Sequence, residues 1–197
     1  MKRIICHGDS LTEGADVTSA QRWPNLLQDI LGIDVLNSGI GGDSTAGMLS
    51  RFPNDVVMRK PDAVILMGGT NDFWWNLPGN VPMANLFTMV YQAQYHGIIP
   101  ILGLPIPFDI DQALKQSYCP PEGGYARQLS KLESLVSQLK TYAENSDIGV
   151  LDFHDLFMDG QARIRTERFL EDGVHPNAEG HQCMAKLAAA MLCELKQ

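Results

Sequence analysis

Short apolar runs alternate along the chain with longer stretches whose apolar positions recur every three or four residues. The short runs are rich in Ile, Val and Leu and lack strict polar alternation, which predicts strands buried on both faces at Arg3–His7, Asp34–Asn37, Ala63–Met67, Ile98–Leu102 and Gly149–Asp152. The longer pattern predicts helices at Trp23–Leu31, Thr45–Arg51, Pro82–Tyr95, Ala126–Glu144 and Ala178–Lys196. The last two are the clearest: Leu129, Leu132, Leu135, Val136 and Leu139 share one helical face, and Met184, Leu187, Ala188, Met191, Leu192 and Leu195 another, with Asn177 as the expected N-cap. Strands alternating with helices over 1–197 predict a single domain of the α/β class. The expected architecture is a three-layer α/β/α sandwich with a flavodoxin-like parallel five-stranded sheet in the order 2-1-3-4-5. Ligands of such sheets bind beyond the carboxyl ends of the strands. Two stretches read as irregular, Phe73–Met83 and Pro105–Gly124, and long irregular segments are the usual place for binding loops.

Composition narrows the function. With 197 residues, 45% hydrophobic and 19% charged, the chain can bury its own core and should fold to about 9,000 Å² of surface. The formal net charge of −8 is spread along the chain, with 6 basic and 9 acidic residues over 1–98 and 9 basic and 14 acidic over 99–197. Neither half offers the Lys/Arg patches that nucleic acid or an anionic membrane surface requires. Cys6, Cys119, Cys183 and Cys193 lack Cys-x-x-Cys spacing and paired histidines, so they read as reduced thiols rather than a zinc site. The N-terminus enters an apolar strand at once, without an apolar leader and cleavage site, and no run of 18 apolar residues occurs. The expectation is a cytoplasmic protein without stable membrane insertion. The apolar helix faces need only the sheet to cover them, which leaves the oligomeric state open.

Candidate chemistry gathers at predicted strand ends. Gly8-Asp9-Ser10-Leu11 follows the first strand. An arbitrary Gly-Asp-Ser is more often a turn or helix cap, so a nucleophilic Ser10 depends on a base within hydrogen-bond reach. Of five histidines, His175 has the most distinctive setting, Asp172-Gly173-Val174-His175-Pro176. An acid three residues earlier on a turn can accept from Nδ1 and leave Nε2 free to take a serine proton. His154 beside Asp152 is the rival pair, while His7, His96 and His181 read as structural. The segments after the second and third strands, Asn37-Ser38-Gly39-Ile40-Gly41-Gly42-Asp43 and Gly68-Gly69-Thr70-Asn71-Asp72, bring backbone N–H groups and an amide to the same rim.

These four blocks, in this order and spacing over nearly the whole chain, resemble the SGNH or GDSL hydrolases, a family of esterases and lipases. The resemblance implies Ser10 as nucleophile, His175 as base and Asp172 as its orienting acid. It also implies an oxyanion hole of the Ser10 N–H, the Gly42 N–H and the Asn71 side chain, with Gly41 competing for the place of Gly42. It implies a small-molecule ester as partner and no cofactor or metal. Thr12 stands two residues after Ser10, where the Gly-x-Ser-x-Gly elbow has glycine, which separates the chain from the α/β-hydrolase fold. Because the base is a histidine, activity should fall at acid pH near about 6.5.

Phe73, Trp74 and Trp75, directly after the asparagine block, are candidate walls of an acyl or aryl pocket. If Asp109, Asp111 and Glu122 edge the site, they would repel polyanions such as acyl-CoA, which favours neutral short-chain or aryl esters. A carbohydrate O-deacetylase, a lysophospholipase or an acyl thioesterase is the alternative within the family. A non-catalytic flavodoxin-like module is the alternative outside it.

Overall fold

All five predicted strands are present, with ends displaced by at most two residues: β1 (Arg3–Gly8), β2 (Asp34–Gly39), β3 (Ala63–Met67), β4 (Ile99–Gly103) and β5 (Gly149–Leu151). The computed structural model describes residues 1–116 and 120–194. Cys119, Leu195 and the Lys196 end of the last predicted helix lie outside them. The strands form one parallel sheet in the order β2-β1-β3-β4-β5, as the alternation predicts. The total surface, 9030 Å², matches the value expected from chain length.

The helices are α1 (Ser10–Glu13), α2 (Trp23–Leu31), α3 (Thr45–Asp55), α4 (Thr70–Trp74), α5 (Asn80–Tyr95), α6 (Ile110–Ala113), α7 (Tyr125–Ser146), α8 (Phe153–Leu156) and α9 (Ala178–Glu194). Strand alternation sorts the core into two halves. Ile4, Cys6, Ile65 and Met67 face Trp23 and Leu27 of α2 and Met184 and Ala188 of α9. Ile5, Val64, Leu66 and Leu102 face Phe52 of α3, Leu86 and Met89 of α5, and Leu132 and Leu135 of α7. Each fully buried Leu, Ile, Val, Met or Phe stabilises the fold by about 1.5–3 kcal/mol relative to exposure. The cysteines among the described residues, Cys6, Cys183 and Cys193, are free thiols. No helix among these residues is long and apolar enough to cross a membrane.

Two boundaries depart from expectation through proline. Helix α3 runs past Pro53 to Asp55, held by the buried Phe52 and Val56 and by an Arg51–Asp55 ion pair of 2.9 Å across one turn. Helix α5 begins two residues before Pro82, because a proline in the first turn removes only an N–H that has no helical partner. The stretch Phe73–Met83 is therefore not one irregular loop: its start closes α4 and its end opens α5.

Register places the rim. Gly8 at the end of β1 pairs with Gly39 of β2 on one side and Met67 of β3 on the other, so the segments that follow all three strands emerge side by side. That is the point where strand order reverses, the crevice of a doubly wound sheet. Close approach demands glycine there: a Cβ on Gly39 would lie 2.1 Å from Glu13 N, and one on Gly8 would lie 2.6 Å from Met67 O.

Candidate active site

Ser10 opens α1, a single turn built directly on the end of β1. The buried Asp9 caps it, its Oδ1 accepting from Leu11 N–H at 3.0 Å. Two distant side chains satisfy the carbonyls of so short a helix: Trp23 Nε1–H donates to Leu11 O at 3.0 Å and Asn37 Nδ2 to Glu13 O at 3.2 Å. Asn37 thus braces α1. As the first residue of α1, Ser10 has an N–H without a partner inside the helix.

The segment before α9 folds back to meet it. Asp172 Oδ1 accepts from Val174 N–H at 2.9 Å and His175 N–H at 3.0 Å, closing a tight turn. Its Oδ2 accepts from His175 Nδ1 at 2.5 Å, and His175 Nε2 lies 2.9 Å from Ser10 Oγ. A carboxylate can only accept, so Nδ1 carries the proton and Nε2 is left to accept from the serine. Burial alone would raise the Asp172 carboxyl, but the His175 ring and the two backbone N–H groups hold it below the ordinary range. Burial favours a neutral His175 ring, yet the hydrogen bond and charge of Asp172, with Asp9 and Asp16, lift its pKa above 6.5.

The other two blocks form the opposite side. Asp43 N–H donates to Ile40 O at 3.1 Å, closing a turn in which Gly42 takes a left-handed φ of 75°. Asn71 Nδ2 donates to Asp43 O at 2.9 Å and approaches Asp9 Oδ2 at 3.5 Å. Asp72 accepts from Thr45 N–H at 2.9 Å and Thr45 Oγ1 at 2.6 Å, which fastens this loop to α3.

Ser10, His175, Gly41, Gly42 and Asn71 line one cavity of about 570 Å³ together with Ala15, Asp16, Thr70, Trp74, Trp75 and Val174. Both glycines reach it, and Gly42 alone has the left-handed backbone. The structure corrects one expectation, places the acidic residues of the proline-rich segment away from the cavity, and sets the rival pair apart from it. Phe73 does not line the cavity; it is fully buried in the core. Successive helical residues turn by about 100°, so the face that presents Thr70, Asn71, Trp74 and Trp75 at i, i+4 spacing sends Phe73 inward. Asp109 and Asp111 border a different cavity, and Glu122 is not among the residues lining this one. Asp109 instead caps α6 and donates its N–H to Gly173 O at 2.7 Å, bracing the Asp172 turn. Asp152 caps α8 and pairs with Lys140 at 2.6 Å, and neither it nor His154 lines the cavity. Among the described residues no cluster of three or more His, Cys, Asp or Glu side chains is disposed to hold a metal ion.

The sequence reading missed the charges beneath this rim. Burial pushes Asp9 up to about 7, offset in part by Leu11 N–H and His175 and reinforced by the charges of Asp72 and Asp43. Arg51 of α3 donates to Asp43, Asp55, Ser38 and the Gly8 carbonyl. These partners lie up to 43 residues away, and no local pattern announces them.

Comparisons with known proteins identify the family of the chain. A model of the GDSL-like lipase/acylhydrolase family matches residues 6–183. The chain is 26% identical over 196 residues to an arylesterase of Vibrio mimicus, covering 97% of this chain and 88% of that protein. Over 117 residues it is 35% identical to the uncharacterized lipoprotein YqeF of Bacillus subtilis (strain 168), 53% of this chain and 48% of the lipoprotein, so the match spans about half of that relative's length. A crystal structure of a member of the lipolytic protein G-D-S-L family from Veillonella parvula DSM 2008 superposes with a TM-score of 0.78 at 29% identity, covering 96% of this chain and 97% of that one.

Proposed function

The chain belongs to the GDSL-like lipase/acylhydrolase family, and from that membership we propose that it is a serine esterase hydrolysing neutral short-chain or aryl carboxylic esters through an acyl-enzyme. The observation that carries the proposal is the unbroken line from Asp172 Oδ2 through His175 to Ser10 Oγ, at 2.5 and 2.9 Å, opening into a cavity walled by tryptophan.

In this reading Ser10 Oγ attacks the ester carbonyl carbon while His175 Nε2 takes its proton, and Asp172 stabilises the imidazolium that forms. Donors from the Ser10 N–H, the Gly42 N–H and Asn71 Nδ2 hold the oxyanion. The carbon–oxygen bond to the alcohol then breaks, and the alcohol leaves with the proton from His175. Water gives a proton to the same nitrogen, attacks the acyl carbon and releases the acid, restoring the serine hydroxyl.

Two features support the substrate class. Trp74 and the exposed Trp75 offer flat apolar walls to an acyl or aryl group. Asp16 lines the cavity, and none of the described residues lining it is Lys or Arg, so anionic substrates meet a like charge there. The aryl preference agrees with the name of the Vibrio mimicus relative. A panel of p-nitrophenyl esters, acetylated sugars, lysolipids and acyl thioesters tests the reading, with Ser10→Ala as blank. Short p-nitrophenyl esters should turn over fastest, and Ser10→Ala should be inert. Equal turnover by Ser10→Ala would refute the proposal.

A further inference from the structure

We propose that Arg51 is a positioning residue for the oxyanion donors, an inference that rests on the esterase reading above. Its side chain is 15% exposed beneath the rim, and its guanidinium reaches the three segments that must keep their spacing during the reaction. One Nη donates at 2.8 Å to the carbonyl of Gly8, two residues before Ser10. The other donates to the Ser38 carbonyl at 2.9 Å and hydroxyl at 3.0 Å, next to the end of β2, and to Asp55 at 2.9 Å. Nε donates at 2.8 Å to Asp43, the residue that follows Gly42 and whose carbonyl receives the Asn71 amide. The Gly8 carbonyl also accepts Ile40 N–H at 3.1 Å, so the end of the strand that leads into Ser10 and the turn that carries Gly42 are joined at one oxygen and clamped there by one side chain.

The surroundings are shaped to this clamp. Asp43 Oδ1 lies where a side chain on residue 47 would fall, 1.8 Å from a Cβ built there, so the glycine lets the carboxylate lean back against α3 and meet Arg51. His7 is buried alongside, its Nε2–H donating to Met48 O at 3.0 Å, which leaves the Nδ1 lone pair facing Arg51 Nη at 3.3 Å. A neutral imidazole in that place accepts from the guanidinium instead of repelling it. Only a planar fork with several fixed donors can serve Gly8, Ser38, Asp43 and Asp55 at once; a lysine ammonium is a single point.

Oxyanion donors act on charge that exists only in the transition state, so loosening their support lowers kcat and leaves KM in place. Arg51→Ala should lose about 100-fold in kcat on a short p-nitrophenyl ester, with KM within about threefold of the parent. Millimolar methylguanidinium should restore at least about tenfold of that loss in Arg51→Ala and nothing in Ser10→Ala. Asp43→Asn keeps the shape and weakens one contact, so it should lose about tenfold in kcat. It decides the matter if Arg51→Ala is unfolded at the assay temperature by circular dichroism. Variants with parental kcat, or with the loss confined to KM, overturn the clamp. An inert Ser10→Ala beside fully active Arg51→Ala and Asp43→Asn overturns the clamp alone, whereas an active Ser10→Ala overturns the esterase reading and the clamp with it.

Discussion

Two aspartate-led turns meet at Ser10 Oγ, and their surroundings drive the two carboxyls in opposite directions. Asp172 sits before His175 in a turn where three N–H groups converge on it, which holds it ionised. Asp9 sits before Ser10 at the start of α1, fully buried, with one short backbone donor and the like charges of Asp72 and Asp43 nearby, which drives it up to about 7. The difference teaches that residue type does not assign the role. The carboxylate kept charged by donors can stabilise an imidazolium, while the one deprived of them serves as a cap and support.

The most severe way to break this contrast is Asp172→Asn. The amide removes the charge and disturbs the His175 tautomer, so kcat should fall by about 10⁴-fold, the effect of that exchange in a Ser-His-Asp site. The pH profile sharpens the point. Because Asp172 and its companions raise the His175 pKa, the parent's acid limb should lie above the ordinary 6.5, and activity should rise as pH passes through it. In Asp172→Asn the residual activity should show that limb displaced to lower pH. An undisplaced limb would assign it to another group.

Next in size is Gly173→Ala. Gly173 has a φ of 67°, and a Cβ there would lie 2.4 Å from Asp109 O. The left-handed backbone alone costs on the order of 1–3 kcal/mol, so thermal unfolding should begin several degrees lower. The displaced turn should also lower kcat by about tenfold to a hundredfold, as measured on a short p-nitrophenyl ester. Parental stability and rate would show that the turn is not held as described.

The smallest effect on rate belongs to Asp9→Asn, which keeps the cap to Leu11 N–H and should leave kcat within about tenfold. Its signature is in stability. Asp9 titrates at about 7 in the folded chain against an ordinary 3.8, so between those values the folded chain holds a proton that the unfolded chain has released. Stability from this group is therefore lost as pH rises across that window, and the asparagine variant escapes the loss. Unfolding temperatures of variant and parent should diverge in favour of the variant from pH 5 to pH 8. Parallel curves would mean that Asp9 is not held protonated.

Much of this contrast was legible in the chain itself, for reasons the structure makes physical. Strands such as Ala63–Met67 are apolar runs bounded by breakers, and the parallel register then carries the segments after β1, β2 and β3 to one rim. Asp172 and His175 share a turn, so their relation is local and readable. The one-turn helices α1, α4, α6 and α8 were not foreseen, because four or five residues cannot display a helical period. That omission misplaced Phe73, since without α4 three successive aromatics look equivalent. The Arg51 clamp joins residues 8, 38, 43 and 55, and only the folded sheet brings the first three together.

The central claim is that Ser10 is a nucleophile primed by the Asp172–His175 turn. It is tested most directly by treating the enzyme with a fluorophosphonate and mapping the adduct by peptide mass spectrometry. One adduct on Ser10, formed in step with the loss of ester hydrolysis and at least about a hundredfold more slowly in His175→Ala, is the predicted result. An enzyme that hydrolyses esters while Ser10 stays unmodified, or that is labelled equally fast without His175, would contradict it.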